Sequence, residues 1–594
     1  MCRSRSVAQL TSELGDSPAP QAWPLSSANR MKYRWILGLA LSLAACGKNA
    51  QTSNAGGSSS STTAGGSGSG GATASGGTAS AGWSSSGGGT RSDQGGAPTG
   101  GTASGASAGM PTTTDASVLE RNGGPTRESH WVQPTLSKAA AAKMELEADF
   151  HATFQGNMYA SPLYIEHGPG GKGAFIAVST DNVVTALDEA TGATLWTKTL
   201  GSAPGLKGQA CGVSFDPVGI LGTPVIDEKS GTIYVAAPIG TDSVERQEVH
   251  ALSISDGASR AGFPVNVSAM KAGELSFNTK FQNQRSALSL VNGIVYVAYG
   301  GFSGDCDDYH GWIIAIDAAD PSKVGAWATA GQGEAIWASG GFASDGTSIF
   351  PVTGNGKASS RDSSNSESIL RISGLAQFQK SNVNEFYPST WKSMDSADVD
   401  LGSSNSLLMH IPGAAMPDRV LVAIGKDGKI YLVNPSNLGG SDGQIAALQV
   451  SNPPMPAATG VKTSPTAYTT ANGTYVAFTV ESAPDCPNNV TGRAIMSVKI
   501  SGGSPPTASV AWCTPGPNPP SAPISTTTDG KADPIVWFMN NGQLKGVDGD
   551  TGASVFEGGS GSCSGVQRWT SPIAVKGRIV VGANGTLCSW KSSP

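Results

Sequence analysis

The chain has 594 residues, and its 38 basic and 44 acidic residues give a net charge of −6 at pH 7. This weakly acidic balance offers no basic stripe, which argues against a nucleic-acid partner. Glycine contributes 80 residues, and many of them fall in one stretch with almost nothing large to bury. The region that folds is therefore shorter than the length implies.

The N-terminal part carries the features of an export signal. Residues 31–45, MKYRWILGLALSLAA, begin with basic residues, continue with a short apolar run and end with small residues, as secretory signals do. The Leu-Ala-Ala that precedes Cys46 resembles the bacterial lipobox, so we predict that Cys46 is lipidated. Because a signal starts at its own methionine, we interpret residues 1–30 as an incorrectly assigned extension.

Residues 46–128 consist largely of Gly, Ser, Thr and Ala after the lipidated cysteine. Such a composition cannot offset its own ordering entropy, so this segment is predicted to be a disordered linker. Residues 129–594 are the predicted folded domain.

The cysteine content fits an exported protein. Beyond Cys2 and Cys46, six cysteines remain: Cys211, Cys306, Cys486, Cys513, Cys563 and Cys588. An even number in an oxidising compartment predicts up to three disulfides, although sequence alone leaves several pairings open. Proximity along the chain favours Cys486–Cys513 and Cys563–Cys588, which leaves Cys211 for Cys306.

A motif in residues 183–201, VVTALDEATGATLWTKTLG, sets the fold prediction. A strand-like run reaches Asp188, a turn contains Gly192, and a second run contains Trp196. Weakened copies place Asp317 and Trp327, and later Asp548 and Gly552, at corresponding positions. A second signature, a turn followed by an alternating strand as in GTPVIDEKSGTIYVAA, recurs eight times. Repeats of this kind predict an all-β, eight-bladed β-propeller.

The last repeat is short by one strand. Residues 144–154, MELEADFHATF, have strand character and precede the first repeat. We therefore expect an N-terminal strand to complete the last blade and close the ring.

The motif resembles the tryptophan-docking repeat of PQQ-like (quinoprotein-type) β-propellers, a repeat that BamB-like lipoproteins share. Other stretches, including QRSALSLVNGIVYVAYGG and VAIGKDGKIYLVNPSNLGG, resemble exported bacterial proteins with PQQ-like repeats. In this fold a tryptophan such as Trp196 wedges between blades, and Asp188 accepts backbone hydrogen bonds across its turn. The motif residues Asp188, Gly192, Trp196, Asp317, Trp327, Asp548 and Gly552 are therefore predicted to dock blades rather than to bind a cofactor.

A candidate ligand site follows from an insertion in the third repeat, GGFSGDCDDYHGW, because propellers often place function in such loops. Polar and aromatic residues in the insertion and at comparable blade positions are expected to converge on one end of the central channel: Arg285, Asp305, Asp308, Tyr309, His310, Trp337, Asn355 and Lys426. The alternative interpretation assigns these residues to turns, core packing and local hydrogen bonds. No histidine spacing indicates a metal site, and no catalytic residue is predicted.

Three functions remain open at the level of sequence. The first is a non-catalytic binding or scaffold module, monomeric and lipid-anchored at the outer membrane, for protein or polysaccharide partners in the envelope. The second is a PQQ-dependent dehydrogenase with Ca²⁺, which the resemblance allows; however, the chain has neither the adjacent cysteine pair of quinoprotein alcohol dehydrogenases nor a CxxCH haem motif. The third is a surface carbohydrate-binding propeller. The first function is preferred, without a cofactor, because a fold does not determine a chemistry.

Overall fold

A computed structural model describes residues 116–206, 216–413, 417–450, 460–483 and 486–592. The predicted signal, the lipidation at Cys46, the linker up to residue 115 and Cys211 lie outside these described residues. No helix in the described ranges combines the length and apolar character needed to cross a membrane.

The described chain begins with short elements that lie ahead of the first repeat. Helices are few and brief, since a 3₁₀ turn (Arg121–Gly123) and a four-residue α-helix are the only ones in this part. The elements in order are β1 (His130–Val132), α1 (Lys138–Ala141), β2 (Met144–Leu146) and β3 (Ala152–Asn157).

The following chain forms antiparallel sheets. The first sheet contains β4 (Leu163–Ile165), β5 (Ala174–Val178), β6 (Val183–Asp188) and β7 (Thr194–Thr199). The second contains β8 (Val225–Asp227), β9 (Thr232–Ile239), β10 (Arg246–Ser253) and β11 (Val265–Asn266), and a hairpin of β12 (Lys271–Ala272) and β13 (Leu275–Ser276) follows it. The third contains β14 (Gln282–Asn283), β15 (Ser289–Val291), β16 (Ile294–Gly301), β17 (Trp312–Asp317) and β18 (Val324–Ala328).

The middle of the chain is less regular. Its strands are β19 (Ala343–Ser344), β20 (Ser348–Phe350), β21 (Ile369–Leu370), β22 (Ile372–Ser373) and β23 (Glu385–Tyr387), followed by helix α2 (Trp391–Ala397). The next strands are β24 (Leu407–His410), β25 (Arg419–Ile424), β26 (Lys429–Val433), β27 (Gly440–Ser441) and β28 (Ala446–Gln449).

The remaining strands return to the regular pattern. One sheet contains β29 (Thr466–Thr470), β30 (Gly473–Val480), β31 (Ala494–Ser501) and β32 (Thr507–Pro515). The next contains β33 (Ile524–Thr527), β34 (Ile535–Asn540), β35 (Gln543–Asp548) and β36 (Ser554–Phe556). The last contains β37 (Ile573–Val575), β38 (Arg578–Gly582) and β39 (Asn584–Ser592).

The all-β propeller is present, but the prediction of eight blades is wrong. The described residues form nine sheets of three or more strands, which gives nine blades. The additional sheet pairs β23 antiparallel to β21 and parallel to β27. These strands are only two or three residues long and come from separate stretches of chain. None of them carries the turn-and-strand signature, so counting repeats in the sequence missed this sheet.

The N-terminal chain completes the sheet of β37–β39. Both β2 and β3 pair antiparallel with β39, so that Met144 lies opposite Ser592 and Ala152 lies opposite Leu587. The side chains of Met144 and Ala152 are buried there. The first and last parts of the described chain therefore share one sheet, as the short last repeat predicts.

The residues of the repeat motif make contacts within their turn and to the next sheet. Oδ1 of Asp188 accepts hydrogen bonds from the backbone N–H groups of Ala190 and Thr191, both at 3.0 Å. Trp196 reaches the next sheet, where its Nε1–H donates to the carbonyl of Ile254 at 2.8 Å. A Cβ on Gly257 would lie only 2.7 Å from this indole. The turn glycine is thus required for the approach of the indole as well as for its positive φ of 70°.

The same geometry recurs elsewhere in the ring. Nε1 of Trp512 donates to the carbonyl of Gly549 at 2.8 Å, and a Cβ on Gly552 would lie 2.7 Å from Trp512. Oδ1 of Asp317 accepts two backbone hydrogen bonds, and Oδ1 of Asp548 does the same. Trp327 contacts Phe378 of the following sheet, with ring centroids 5.1 Å apart.

Two predicted disulfides are confirmed, Cys486–Cys513 and Cys563–Cys588. Cys306 is also disulfide-bonded, and its predicted partner Cys211 is not among the described residues.

Residues 116–133, which we call the axial segment, contact the first strand of one sheet after another. Backbone hydrogen bonds connect this segment to β4, β8, β19, β24, β29 and β33 in chain order. Its strand β1 also pairs in parallel with β33. One short segment can reach so many first strands only if they surround it. The axial segment therefore lies along the centre of the ring, where Arg121 and Arg127 are fully buried.

Candidate functional site

A group of charged and aromatic side chains lies at one end of the propeller. Arg285 precedes β15, Trp337 precedes β19, Asp398 and Asp400 precede β24, and Lys426 follows β25. Because the first two strands of a sheet are antiparallel, the start of one and the end of the other lie at the same end. These five residues, with Asp305 and Tyr309 of the insertion, form what we call the mouth cluster.

Trp337 is the aromatic centre of the mouth cluster, and its side chain is half-buried. Cζ of Arg285 lies 5.1 Å from the centroid of its ring, and Nζ of Lys426 lies 5.6 Å from it. Both distances fall in the range of cation–π contacts. A Cβ on Gly354 would lie 3.2 Å from Nε1 of Trp337, so the backbone itself supports the edge of the indole.

Lys426 joins two carboxylates beside this ring. Its Nζ lies 2.7 Å from Oδ1 of Asp398 and 2.8 Å from Oδ2 of Asp400. Oδ1 of Asp400 accepts the backbone N–H of Asn355 at 3.0 Å. Burial opposes the charge on Lys426, but the two carboxylates outweigh it and raise the pKa of the ammonium group. Both oxygens of Asp400 are therefore already engaged within the protein.

We expect the variant Lys426→Met to lower the free energy of unfolding by about 3 kcal/mol. The change would leave the carboxylate of Asp400, only 4% exposed, without its cation. Denaturant unfolding measures this loss. The exposed pair Lys323–Asp320 supplies the control, because Lys323→Met should cost less than about 1 kcal/mol. Equal costs for the two variants would show that the Lys426 pair is not the buried interaction described here.

Arg285 links Trp337 to the insertion loop. Burial lowers the pKa of Arg285 to about 10, although Tyr309, Asp305 and Asp400 all favour its charged form. The hydroxyl of Tyr309 donates to Oδ1 of Asp305 at 2.7 Å. The ring of Tyr309 is buried against Gly301, where a Cβ would lie 2.6 Å from the ring. The insertion is thus fixed against the body of the sheet.

The charges at the mouth nearly balance. Within the mouth cluster, Lys426 interacts electrostatically with Asp398 and Asp400, and Arg285 interacts with Asp305 and Asp400. Lys462 lies beside the cluster and interacts most strongly with Glu481, and also with Asp398 and Asp400. The cluster and Lys462 together hold three cations and three carboxylates, and Glu481 adds one carboxylate next to Lys462. The cluster is therefore polar but close to neutral overall.

Asp427, next to Lys426, gives the stability a pH dependence. Its Oδ2 accepts the hydroxyl of Tyr431 at 2.6 Å, but burial raises the pKa of Asp427 to about 6. Between pH 4 and pH 6 the folded protein therefore retains a proton that the unfolded chain has released. This contribution to stability is present at pH 4 and is lost as the pH rises through 6.

We expect Asp427→Asn to remove this pH dependence. Relative to the wild type, the variant should gain stability by up to about 3 kcal/mol between pH 4 and pH 7. Urea unfolding of both proteins across this range tests the expectation. Parallel stability curves for the two proteins would contradict the raised pKa.

Six of the eight predicted site residues lie in or beside the mouth cluster, and the other two, Asp308 and His310, do not. Arg285, Asp305, Tyr309, Trp337 and Lys426 meet in the mouth cluster, and Asn355 contributes its backbone N–H.

His310 is instead held by the carbonyl of Thr329 at 2.9 Å and by Gln282. Its Nε2 lies 3.6 Å from Oδ1 of the exposed Asp308. In the described part of the chain, no hydrogen bond, ion pair or ring contact joins His310 or Asp308 to Trp337.

Sequence reasoning missed Asp398, Asp400 and Lys462. Asp400 and Lys462 stand a few residues before β24 and β29, at the position that Arg285 and Trp337 occupy in their own sheets. Comparing this position between repeats would have identified both residues. Asp398 gave no such signal. It is the left-handed residue that ends α2, and among the described residues no other repeat has an α-helix at this place.

No protein-family profile matches the chain, and no curated protein sequence matches it. Solved structures do. The quinohemoprotein alcohol dehydrogenase ADHIIG of Pseudomonas putida HK5 is 14% identical, with a TM-score of 0.58 over 80% of this chain and 80% of that chain. The corresponding enzyme of Comamonas testosteroni is 15% identical, with a TM-score of 0.53 over 80% of both chains. A europium-containing methanol dehydrogenase is 15% identical, with a TM-score of 0.52 over 79% of this chain and 90% of that chain. At these identities the likeness shows the fold alone, and the chain is a β-propeller.

Proposed function

We propose that the protein is a non-catalytic binding module whose mouth cluster recognises a neutral polar chain, a glycan or a peptide of the cell envelope. In this proposal the lipid on Cys46 anchors it to the outer membrane, and it acts as a monomer. The observation that carries the proposal is the half-buried ring of Trp337 within a charge-balanced set of side chains.

Trp337 supports the proposal through its shape and position. The exposed part of the indole offers an apolar surface beside the two cations that lie over its ring, and these polar surroundings can orient a ligand by hydrogen bonds. Because Arg285 and Lys426 are placed by their own contacts, the platform is organised before any ligand arrives. Preorganisation of this kind lowers the entropic cost of binding.

The charge balance favours an uncharged ligand. A strongly anionic or cationic ligand would have to compete with the ion pairs of Lys426 or leave its own charge unpaired. A sugar hydroxyl or a peptide group can hydrogen-bond to these side chains without displacing a counter-charge. Glycans and peptides therefore fit the mouth cluster better than phosphorylated or carboxylated small molecules.

The second candidate is a quinoprotein dehydrogenase, which the names of the similar structures suggest. Such an enzyme needs hard oxygen ligands for Ca²⁺ and a free carboxylate as base. Here both oxygens of Asp400 are already used by Asn355 and Lys426. Within the described ranges, no group of three or more His, Cys, Asp or Glu residues could hold a metal ion. The residues present do not fit the PQQ–Ca²⁺ pair, and we derive no reaction step through it.

Glycan and peptide arrays test the binding function. We expect a set of related glycans or peptides to be retained by the wild type and lost by Trp337→Ala. Trp337→Phe should keep part of the binding, because it preserves an aromatic face. Trp337→Ala should also lower the melting temperature, because much of the indole is packed against its neighbours, so the arrays are run well below the melting temperatures of all three proteins.

Two outcomes would oppose the proposal. Binding that is equal in Trp337→Ala and the wild type would remove the mouth cluster as the site. Alcohol-dependent reduction of a dye after addition of PQQ and Ca²⁺, above a heat-denatured control, would establish the dehydrogenase instead.

A further inference from the structure

Arg121 of the axial segment is fully buried, yet its charge has little to contact. Its Nη1 lies 3.4 Å from Oγ1 of Thr223, and its Nη2 donates to the carbonyl of Trp569. Its Nε has no hydrogen-bond partner among the described residues. The N–H group at Nε of the guanidinium is therefore left without an acceptor from the described chain.

Arg121 also lacks a counter-charge. The neighbouring acid, Glu120, is paired with Arg127 at 3.0 Å. Arg121 makes no ion pair within the described chain, and the one charge that affects it is that of Arg127, which repels it. Burial and this repulsion lower the pKa of Arg121 to about 9. A buried cation without a partner costs several kcal/mol, so native proteins rarely leave one uncompensated.

Other buried donors belong to residues that share a partner with Arg121 or adjoin it or its partner in the chain. The backbone N–H of Ser161 donates to Oγ1 of Thr223 at 3.0 Å, the same oxygen that Arg121 contacts. Thr570 directly follows Trp569, and Asn122 directly follows Arg121. The hydroxyls of Ser161 and Thr570 and the side-chain amide of Asn122 all lack hydrogen-bond partners in the described ranges. All three residues are at most 2% exposed.

We propose that Arg121, Asn122, Ser161 and Thr570 form a binding site for a small inorganic anion in the centre of the propeller. Nε of Arg121 has one hydrogen bond to donate to it, and the two hydroxyls and the amide are further buried donors that lack a partner in the described ranges. The anion supplies the counter-charge that Arg121 lacks and the acceptor that the other three groups lack. This site lies on the axial segment and is independent of the ligand proposed for the mouth cluster.

Water is the competing occupant. Buried waters satisfy hydroxyl and amide groups in many proteins, but a water molecule does not neutralise a guanidinium charge. An anion accounts for both features of the site, the unpaired charge and the unpaired donors.

Anomalous diffraction locates the anion directly. Crystals of the wild type grown without chloride, in sodium bromide or in sodium selenate, distinguish a halide site from a tetrahedral oxyanion site. We expect an anomalous peak within hydrogen-bonding distance of Nε of Arg121 in one of the two media. Peaks confined to other places on the protein, in both media, would overturn the proposal.

Thermal unfolding at constant ionic strength provides the second measurement. We expect the melting temperature of the wild type to rise as chloride or sulfate replaces gluconate, because an anion that binds only the folded state stabilises it. The variant Arg121→Gln should lose this rise, whereas the control Arg371→Gln should retain it. An equal rise in Arg121→Gln would contradict the site, and if that variant fails to fold, the diffraction result decides.

Discussion

Replacing Arg127 with alanine is expected to lower the free energy of unfolding by about 3 to 5 kcal/mol. Arg127 is fully buried and hydrogen-bonds to three backbone carbonyls, those of Phe342, Arg121 and Leu288. It also pairs with the buried carboxylate of Glu120 at 3.0 Å. The substitution removes these bonds and leaves Glu120 as an unpaired buried charge. Urea or guanidinium unfolding measures the difference.

Two further variants show how much of the stability loss in Arg127→Ala comes from breaking its buried ion pair with Glu120. Arg246 forms ion pairs on the surface, with its side chain 46% exposed, so Arg246→Ala should change stability by less than about 1 kcal/mol. The double variant Glu120→Gln/Arg127→Met should recover part of the loss, because it removes the unpaired charge. A loss below about 1 kcal/mol in Arg127→Ala would mean that the axial segment does not hold the sheets together.

The second large effect is expected at the closure of the ring. When residues 144–154 are replaced by a Gly-Ser sequence of equal length, stability should fall by about 5 kcal/mol or more. Met144, Phe150 and Ala152 are buried, and loss of a single buried Met or Phe side chain costs about 2 to 5 kcal/mol. The replacement also removes the partners of β39. Calorimetry should show a markedly lower melting temperature.

A matched replacement tests whether the effect is specific to ring closure. Residues 271–276 form the separate hairpin of β12 and β13, whose strand residues are half-buried or exposed. A Gly-Ser sequence there should lower the melting temperature much less. Equal effects of the two replacements would argue against a special role for the N-terminal strands.

The regular part of the fold follows from the sequence because local chemistry determines it. The turn at Asp188 needs an acceptor for two backbone N–H groups and a glycine where the backbone is left-handed. The docking of Trp196 needs a glycine in the next sheet. These requirements recur in several units, with the Asp turn at Asp317 and Asp548 and the glycine approach at Gly552, so the pattern was visible without coordinates.

The ninth sheet and the axial segment depend on contacts that no local pattern reports. β27 joins β23 across more than one intervening strand, and both are too short to show alternation. Residues 116–128 were assigned to the linker by composition, whereas the structure places them against the first strands of successive sheets. The surrounding sheets hold these residues in place through hydrogen bonds to their backbone. Backbone hydrogen bonds of this kind leave no pattern in the side chains of the segment.

In the candidate site, too, the sequence predicted residues that follow a local pattern and missed those that depend on contacts between distant parts of the chain. The sequence identified Arg285, Trp337 and Lys426 as residues at comparable blade positions. In the structure the first two precede a strand and Lys426 follows one, and all three meet at the same end. The sequence also suggested His310, which instead bonds to Thr329. Asp400 was missed although it determines the chemistry of the cluster. Its significance depends on Lys426, which is close in space but follows two strands later in the chain.

Equilibrium dialysis against PQQ in the presence of Ca²⁺ tests most directly whether the mouth cluster binds a chain ligand rather than a redox cofactor. Because Asp400 is held by Lys426 and Asn355, we predict that the wild type retains no more PQQ than the variant Trp337→Ala. Retention of one PQQ per protein by the wild type, lost in Trp337→Ala, would contradict this account.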